Sequence, residues 1–455
     1  MSMAKEMTSG KPYKLILGFC IPMIFGNIFQ QLYNMVDSII VGQYVGVDAL
    51  AAVGSTGAIN FLVIGFALGL CSGFSILAAQ SFGEGNYKEM RRYIINTVYL
   101  CAIAAVILTV STILLTGPIL RITKTPDDIF KDAYDYIIII FGGISATIFY
   151  NMLAGILRAL GDSRTPLIFL GVSSVLNVIL DLVLIIAFNM GVAGAGFATV
   201  ISQAVSAVLC LIYMKRNYDI LAFEKDELAF SGKRSLKLIS IGLPMALQFS
   251  ITAIGTIIAQ SAVNSLGKTA IAAVTAANKI QTIVTAPMES LGITMATYCG
   301  QNRGAGKYTR IRAGIRQSLS MSMIYCAAAC LVVWFLGGYI GLLFVKSSET
   351  EVLRLSVEFL RYNGVFYPTL GILFILRNGL QGMGYSMLPM LAGVSELVAR
   401  TLVILLFIGT FGFQAACLAS PLAWVLADLL LVTVYAVKMR SLKTELITRW
   451  KTAKA

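Results

Sequence analysis

Residues Ala79 to Ile94 read AQSFGEGNYKEMRRYI, and residues Gly300 to Ile315 read GQNRGAGKYTRIRAGI. Both place a glycine-x-glycine before a lysine and a run of basic residues (Gly83 and Gly85; Gly304 and Gly306). Outward from these stretches the correspondence continues. CIPMIFGNIFQ around Pro22 answers GLPMALQFSIT around Pro244, and GVDALAAVG from Gly46 answers GKTAIAAVT from Gly267. DAYDYI from Asp132 answers LSVEFL from Leu355, and LRALGDSRTP ending at Pro166 answers LQGMGYSMLP ending at Pro389. The chain is a tandem duplication, joined at its longest polar loop, KRNYDILAFEKDELAFSGKR.

What is duplicated follows from composition. With 58% hydrophobic and 13% charged residues over 455 positions, the chain has more apolar surface than a water-soluble core buries. Runs long enough to cross about 30 Å of hydrocarbon recur along it. They predict twelve spans near 15–40, 50–78, 93–117, 134–157, 166–188, 192–214, 238–263, 270–298, 314–337, 352–376, 386–410 and 414–437. The first is too long for a cleavable signal and lacks a small-residue cleavage site, so the amino terminus is expected to stay attached. The fold class is all-α integral membrane: 1–214 and 238–437 as two six-helix bundles, 215–237 as linker and 438–455 as tail. Units with an even number of spans share one orientation, as parallel repeats about a pseudo-two-fold axis along the membrane normal, with a substrate cavity expected between them.

Lysine and arginine crowd alternate loops. Lys5, Lys11 and Lys14 precede span 1, while Arg91 and Arg92, Arg158 and Arg164, Lys215 to Lys237, Arg303 to Arg316, and Lys438 to Lys454 follow spans 2, 4, 6, 8 and 12. The other loops hold little beyond Arg121, Lys124, Lys131, Lys268 and Lys346. This asymmetry places both termini in the cytoplasm of a plasma (inner) membrane protein. It also accounts for the net charge of +13 without nucleic acid. The glycine-x-glycine loops are turns whose basic residues mark the helix ends. They lack the strand and Walker spacing of a phosphate cradle.

The chain has no histidine, which excludes histidine-based zinc sites, Ser-His-Asp hydrolysis and a histidine proton relay. The eight cysteines lie in or beside apolar spans with no C-x-x-C pair and read as packing residues. Any proton path must run through carboxylates. No cofactor is implied, and no enzyme.

Polar residues at membrane depth are costly and mark function by default. In span 1, Asn27, Gln30, Gln31, Asn34, Asp37 and Ser38 share one arc of a helix. In span 5, Asn177 and Asp181 lie one turn apart within SSVLNVILDLVLII, with Thr199 in span 6 and Tyr136 in span 4 as polar neighbours. Asp37, Asp181, Asn177 and Thr199 are expected in one pocket. Two neighbouring carboxylates there are not both charged cheaply, so the pair holds a proton unless Na⁺ occupies it. The second half differs: Gln248 in span 7, Lys279 and Glu289 in span 8, and Glu396 with Arg400 in span 11, the last two spaced to neutralise each other. Lys279 and Glu289, about 15 Å apart along one helix, serve separate roles. Gln30, Gln31, Asn34, Gln248, Lys279 and Glu289 are the candidate substrate-cavity residues.

The chain resembles the multidrug and toxic compound extrusion (MATE) transporters along essentially its whole length. The resemblance rests on QQLYNMVDSIIVG in span 1, LRALGDSRTP after span 4, NVILDLVLI in span 5 and GQNRGAGK after span 8. It implies efflux of a small organic molecule, such as a cationic amphiphile, by antiport against H⁺ or Na⁺ with alternating access. The chain would act as a monomer in the bilayer. The resemblance also implies a proton or cation site at Asp37, Asn177, Asp181, Thr199 and Tyr136, with Na⁺ possible at the first four, and a bend at Pro22. The spans that carry sodium-binding acids in other branches, here PMALQFSITAIGTII and GVFYPTLGILFIL, have none. The alternative is a flippase or exporter of lipid-linked precursors or metabolites in the same superfamily.

Overall fold

The computed structural model describes residues 4–123, 125–342, 344–345 and 348–454, with side chains described as far as Ser441. Lys124, Lys346 and the side chains of the tail beyond Ser441 lie outside the described residues. Among the described residues there are α-helices and short π and 3-10 turns, and no strand.

The helices are α1 (Pro12–Ile40), α2 (Val47–Glu84), α3 (Tyr87–Ile122), α4 (Asp127–Gly142), α5 (Ile144–Ala159), α6 (Arg164–Leu182) and α7 (Gly191–Asn217). They continue with α8 (Gly232–Ser265), α9 (Lys268–Gly304), α10 (Tyr308–Gly341), α11 (Thr350–Val365), α12 (Tyr367–Gly382), α13 (Met387–Phe411) and α14 (Phe413–Lys454). Nine are individually long and apolar enough to span. Two bent pairs, α4 with α5 (46°) and α11 with α12 (53°), raise the number to eleven. The twelfth is α9, whose 37 residues reach far enough but carry Asn278, Lys279, Gln281 and Glu289 in the middle. Both bends fall at one position of the repeat. At the first, the Gly142–Gly143 pair interrupts the helix; at the second, Pro368 in the opening turn of α12 removes a backbone donor.

Two compact units emerge, and they do not divide at the polar loop. One comprises Met1–Glu6 and Ile21–Ser250; the other comprises Met7–Cys20 and Ile251–Ala455. The first third of α1 therefore belongs with the second repeat, and the first half of α8 with the first repeat. In the first unit, the glycine ladder of α2 explains why α8 fits. A Cβ on Gly69 would stand 2.6 Å from the Cα of Ala246, and one on Gly73 would strike the backbone of Gly242. Small residues four apart let two helix backbones touch. In the second unit, the Cys20 thiol of α1 hydrogen-bonds Thr294 of α9.

The twice-written loops hold these exchanged segments. After α2, Gly85 turns the chain with φ of 78° and the Asn86 side chain caps α3 by accepting from the Glu89 amide at 3.1 Å. Arg91 then donates to both carboxylate oxygens of Glu227 at 2.7 Å each, and Arg234 to both of Glu89 at 3.0 and 2.8 Å. The Asn96 side chain accepts from the Ser231 amide at 2.8 Å. After α9, Gly306 makes the equivalent turn with φ of 67°. Here the bound segment is the amino terminus. The Met7 amide donates to Gln301 at 2.7 Å, Lys307 to the Thr8 carbonyl at 3.0 Å, and Arg310 to the Gly10 carbonyl at 2.8 Å. Each loop clasps the chain entering the first helix of the opposite repeat.

Candidate functional site

Asp37 is carried by α1, Asn177 and Asp181 by α6, Thr199 by α7 and Tyr136 by α4, all in the first unit. The spacing of four between Asn177 and Asp181 puts both on one face of α6, where they are 1% and 0% exposed. Both acid-bearing helices change pitch just beyond their aspartate. α1 passes into a π turn at Val41–Val45 and α6 into another at Val183–Ala187, and the two turns pack on each other. A π turn shifts the register of the side chains around it and recurs at functional sites.

Within this pocket Thr199 is the shared polar centre. Its hydroxyl accepts from Asn177 Nδ2 at 3.4 Å and pairs with the Tyr33 hydroxyl at 3.5 Å. The Asp37 and Asp181 carboxyls face each other closely enough for one proton to bridge them, with Tyr33 and Tyr136 beside both. Asp37 Oδ1, Asn177 Oδ1 and both oxygens of Asp181 are buried without a hydrogen-bond donor among the described residues. No lysine or arginine stands beside the pair there. Four orphaned oxygen acceptors with no cation are chemically incomplete, since buried acceptors are normally satisfied.

The expected pocket of Asp37, Asn177, Asp181 and Thr199 is thus brought together, with Tyr136 at its wall. Tyr33 is an addition. It lies one turn before Asp37, and that i, i+4 relation was available in the sequence. Pro22 sits in an unbroken α1, at the point where this helix passes from the second unit to the first.

The substrate-cavity candidates do not join that pocket. Gln30 and Asn34 are exposed on α1 and Gln31 is half-buried; Gln248 is a buried residue of the first unit. Lys279 and Glu289 are both exposed on α9, in the second unit. Glu396 and Arg400 bond as their spacing suggests, at 3.0 Å, but a second guanidinium from Arg377 of α12 reaches Glu396 at 2.7 Å. Arg377 and the nearby Asp428 of α14 carry in the sequence the same signal that singles out Asp181, a single charge inside an apolar run.

The MatE family model matches the chain twice, over residues 22–183 and 244–406, opening each time on the proline of a repeat. The chain belongs to the MATE family. Over 388 residues, 85% of this chain and 86% of the relative, it is 29% identical to a protein of Bacillus subtilis (strain 168) called probable multidrug resistance protein YpnP. Over 339 residues, 73% of each chain, it is 30% identical to probable multidrug resistance protein YoeA of the same organism. Its fold superposes with a TM-score of 0.90 on an outward-facing multidrug resistance MATE family transporter of the MOP superfamily, covering 96% of this chain and 98% of that one at 22% identity. This MATE protein is a multi-pass membrane transporter with twelve spans in two bundles of six.

Proposed function

We propose that this MATE protein exports small organic molecules, cationic amphiphiles among them, by antiport against H⁺ or Na⁺ with alternating access. The observation that carries the reading is the Asp37–Asp181 pocket, where four buried oxygen acceptors meet no donor and no positive group among the described residues. Carboxylate, amide and hydroxyl oxygens suit a proton and, equally, a hard monovalent cation. Filling the pocket removes the repulsion between the carboxylates and supplies the missing donor or charge. The free energy of that change favours one arrangement of α1 over another, with Pro22 as the bend. The names of the relatives support a drug-like cargo, and the exposed Gln30, Asn34 and Glu289 are polar surfaces able to meet it.

For a neutral cargo the driving force suffices without nucleotide. One inward elementary charge supplies about 2.3 kcal/mol per 100 mV, enough for about a 40-fold outward gradient of a neutral cargo. The loop charges support cytoplasmic termini in a plasma-membrane protein. The test is ethidium movement in inverted vesicles, energised first by a pH gradient and then by a sodium gradient. Ethidium accumulation under one of them is expected. Indifference to both gradients, in vesicles containing verified protein, would overturn antiport.

A further inference from the structure

The second unit buries a charge cluster that the antiport pocket does not use. Arg377 of α12, Glu396 and Arg400 of α13, and Asp428 of α14 are 7%, 6%, 6% and 7% exposed. Glu396 is fully engaged: one oxygen accepts from Arg377 at 2.7 Å and the other from Arg400 at 3.0 Å. Room for the second guanidinium comes from Gly255 of α8, where a Cβ would stand 2.6 Å from Arg400 Nη1. Asp428 differs. Arg377 and Glu396 lie near enough to act on it electrostatically, yet both of its oxygens are buried and accept no hydrogen bond. The Nε atoms of Arg377 and Arg400 are likewise without an acceptor.

Two guanidiniums and one carboxylate leave a net positive charge, which an ionised Asp428 would neutralise. An ionised carboxylate with no donor, at this burial, is far costlier than the neutral acid. The two conditions are met one at a time. While Arg377 is held by Glu396, Asp428 keeps its proton. When Asp428 releases that proton to water, its carboxylate draws Arg377, and Arg400 alone stays on Glu396. We propose that Asp428 is a proton-binding site of the second unit, and that its proton decides whether Arg377 ties α12 to α13 through Glu396 or to α14 through Asp428.

The other charges along α14 are remote. Glu358 of α11 acts near Cys417 and Arg312 of α10 near Tyr435. These are eleven residues before and seven after Asp428, roughly 16 and 10 Å along the axis. From the elements packed on α14, the charged groups acting on Asp428 are therefore Arg377 of α12 and Glu396 of α13.

Infrared titration of protein in liposomes tests this, using an Asp37→Asn/Asp181→Asn background so that the antiport pocket cannot contribute. With ¹³C-labelled aspartate side chains, an isotope-shifted carboxylic-acid carbonyl band is expected at neutral pH, disappearing on alkalinisation. It should vanish in Asp428→Asn. Glu396→Gln, which leaves both arginines without their shared anion, should ionise Asp428 and remove the band as well. A labelled protein with no such band at neutral pH would overturn the proposal without any substitution at position 428, as would a band unchanged in Asp428→Asn. A band that persists in Glu396→Gln would overturn the arginine exchange.

Discussion

Asn177 of α6 and Arg400 of α13 occupy one position of the repeat, each eleven residues after the proline that opens its helix. Around Asn177 the duplicated scaffold gathers two carboxyls and no base; around Arg400 it gathers two guanidiniums on one glutamate. One repeat position thus carries an amide in the first copy and a cation in the second. A pocket of unpaired acids favours uptake of a positive species, whereas Glu396, held by two guanidiniums, ties α12 to α13.

The comparison breaks hardest if the acids are neutralised. Asp37→Asn and Asp181→Asn should each abolish gradient-driven ethidium efflux while leaving insertion intact. Asn177→Arg, which writes the second repeat's residue into the first, should abolish it too by placing a guanidinium beside Asp181. Expression-matched vesicles provide the measurement, and a variant that concentrates dye as the parent does would exclude the pocket from coupling.

Next in size is the second unit. Glu396→Ala removes the anion that both buried guanidiniums share and leaves Arg400 unpaired even where Asp428 takes up Arg377, a loss of about 3–5 kcal/mol. The same truncation at the repeat-equivalent Ser173→Ala should cost about 1 kcal/mol or less. Thermal unfolding of detergent-purified protein separates them. Equal losses would mean that the charge cluster carries no special share of the second unit's stability.

The twelve spans and the duplication were legible because both rest on local regularities, apolar length and repeated wording. The Asp37–Asp181 pocket was legible for a related reason: a lone charge in an apolar run has few affordable partners. The exchange of helix segments was not. α1 and α8 read as continuous spans, and nothing local shows which unit Met7–Cys20 joins. That choice depends on fits such as Gly69 against Ala246, which pair residues far apart in sequence. Arg377 escaped notice because its partner Glu396 sits nineteen positions away on another helix, while Arg400 supplied a nearer explanation.

The two clasps give a smaller contrast. Arg91→Ala removes a guanidinium that donates twice to the buried Glu227, and Arg310→Ala removes the donor to the Gly10 carbonyl. Losses of about 1–3 kcal/mol are expected for the first and about 1 kcal/mol for the second. They should appear as faster amide exchange confined to 218–231 and to 7–10, respectively. Exchange spreading through a whole unit in either variant would show that the clasp supports more than the entering segment.

The least effect, and the most discriminating, is that of acid. Both clasps do the same work with different acceptors: the first uses the carboxylates of Glu89 and Glu227, the second uses amides and backbone carbonyls. The hydrogen bonds from Arg91 hold the Glu227 carboxyl below its ordinary range. A depressed carboxylate contributes its stability in full above the unfolded value of about 4.3 and loses it as the pH falls through the folded value. Acidification from neutrality to about pH 3 should therefore loosen 218–231, while the segment 7–10, with no carboxylate acceptor, should hold. Hydrogen exchange normalised to the intrinsic rate at each pH makes the comparison within one sample. If 7–10 loosened in parallel, the difference in acceptor chemistry would have no energetic consequence; if only 218–231 loosened, Glu227→Gln should already show the loosened state at neutral pH.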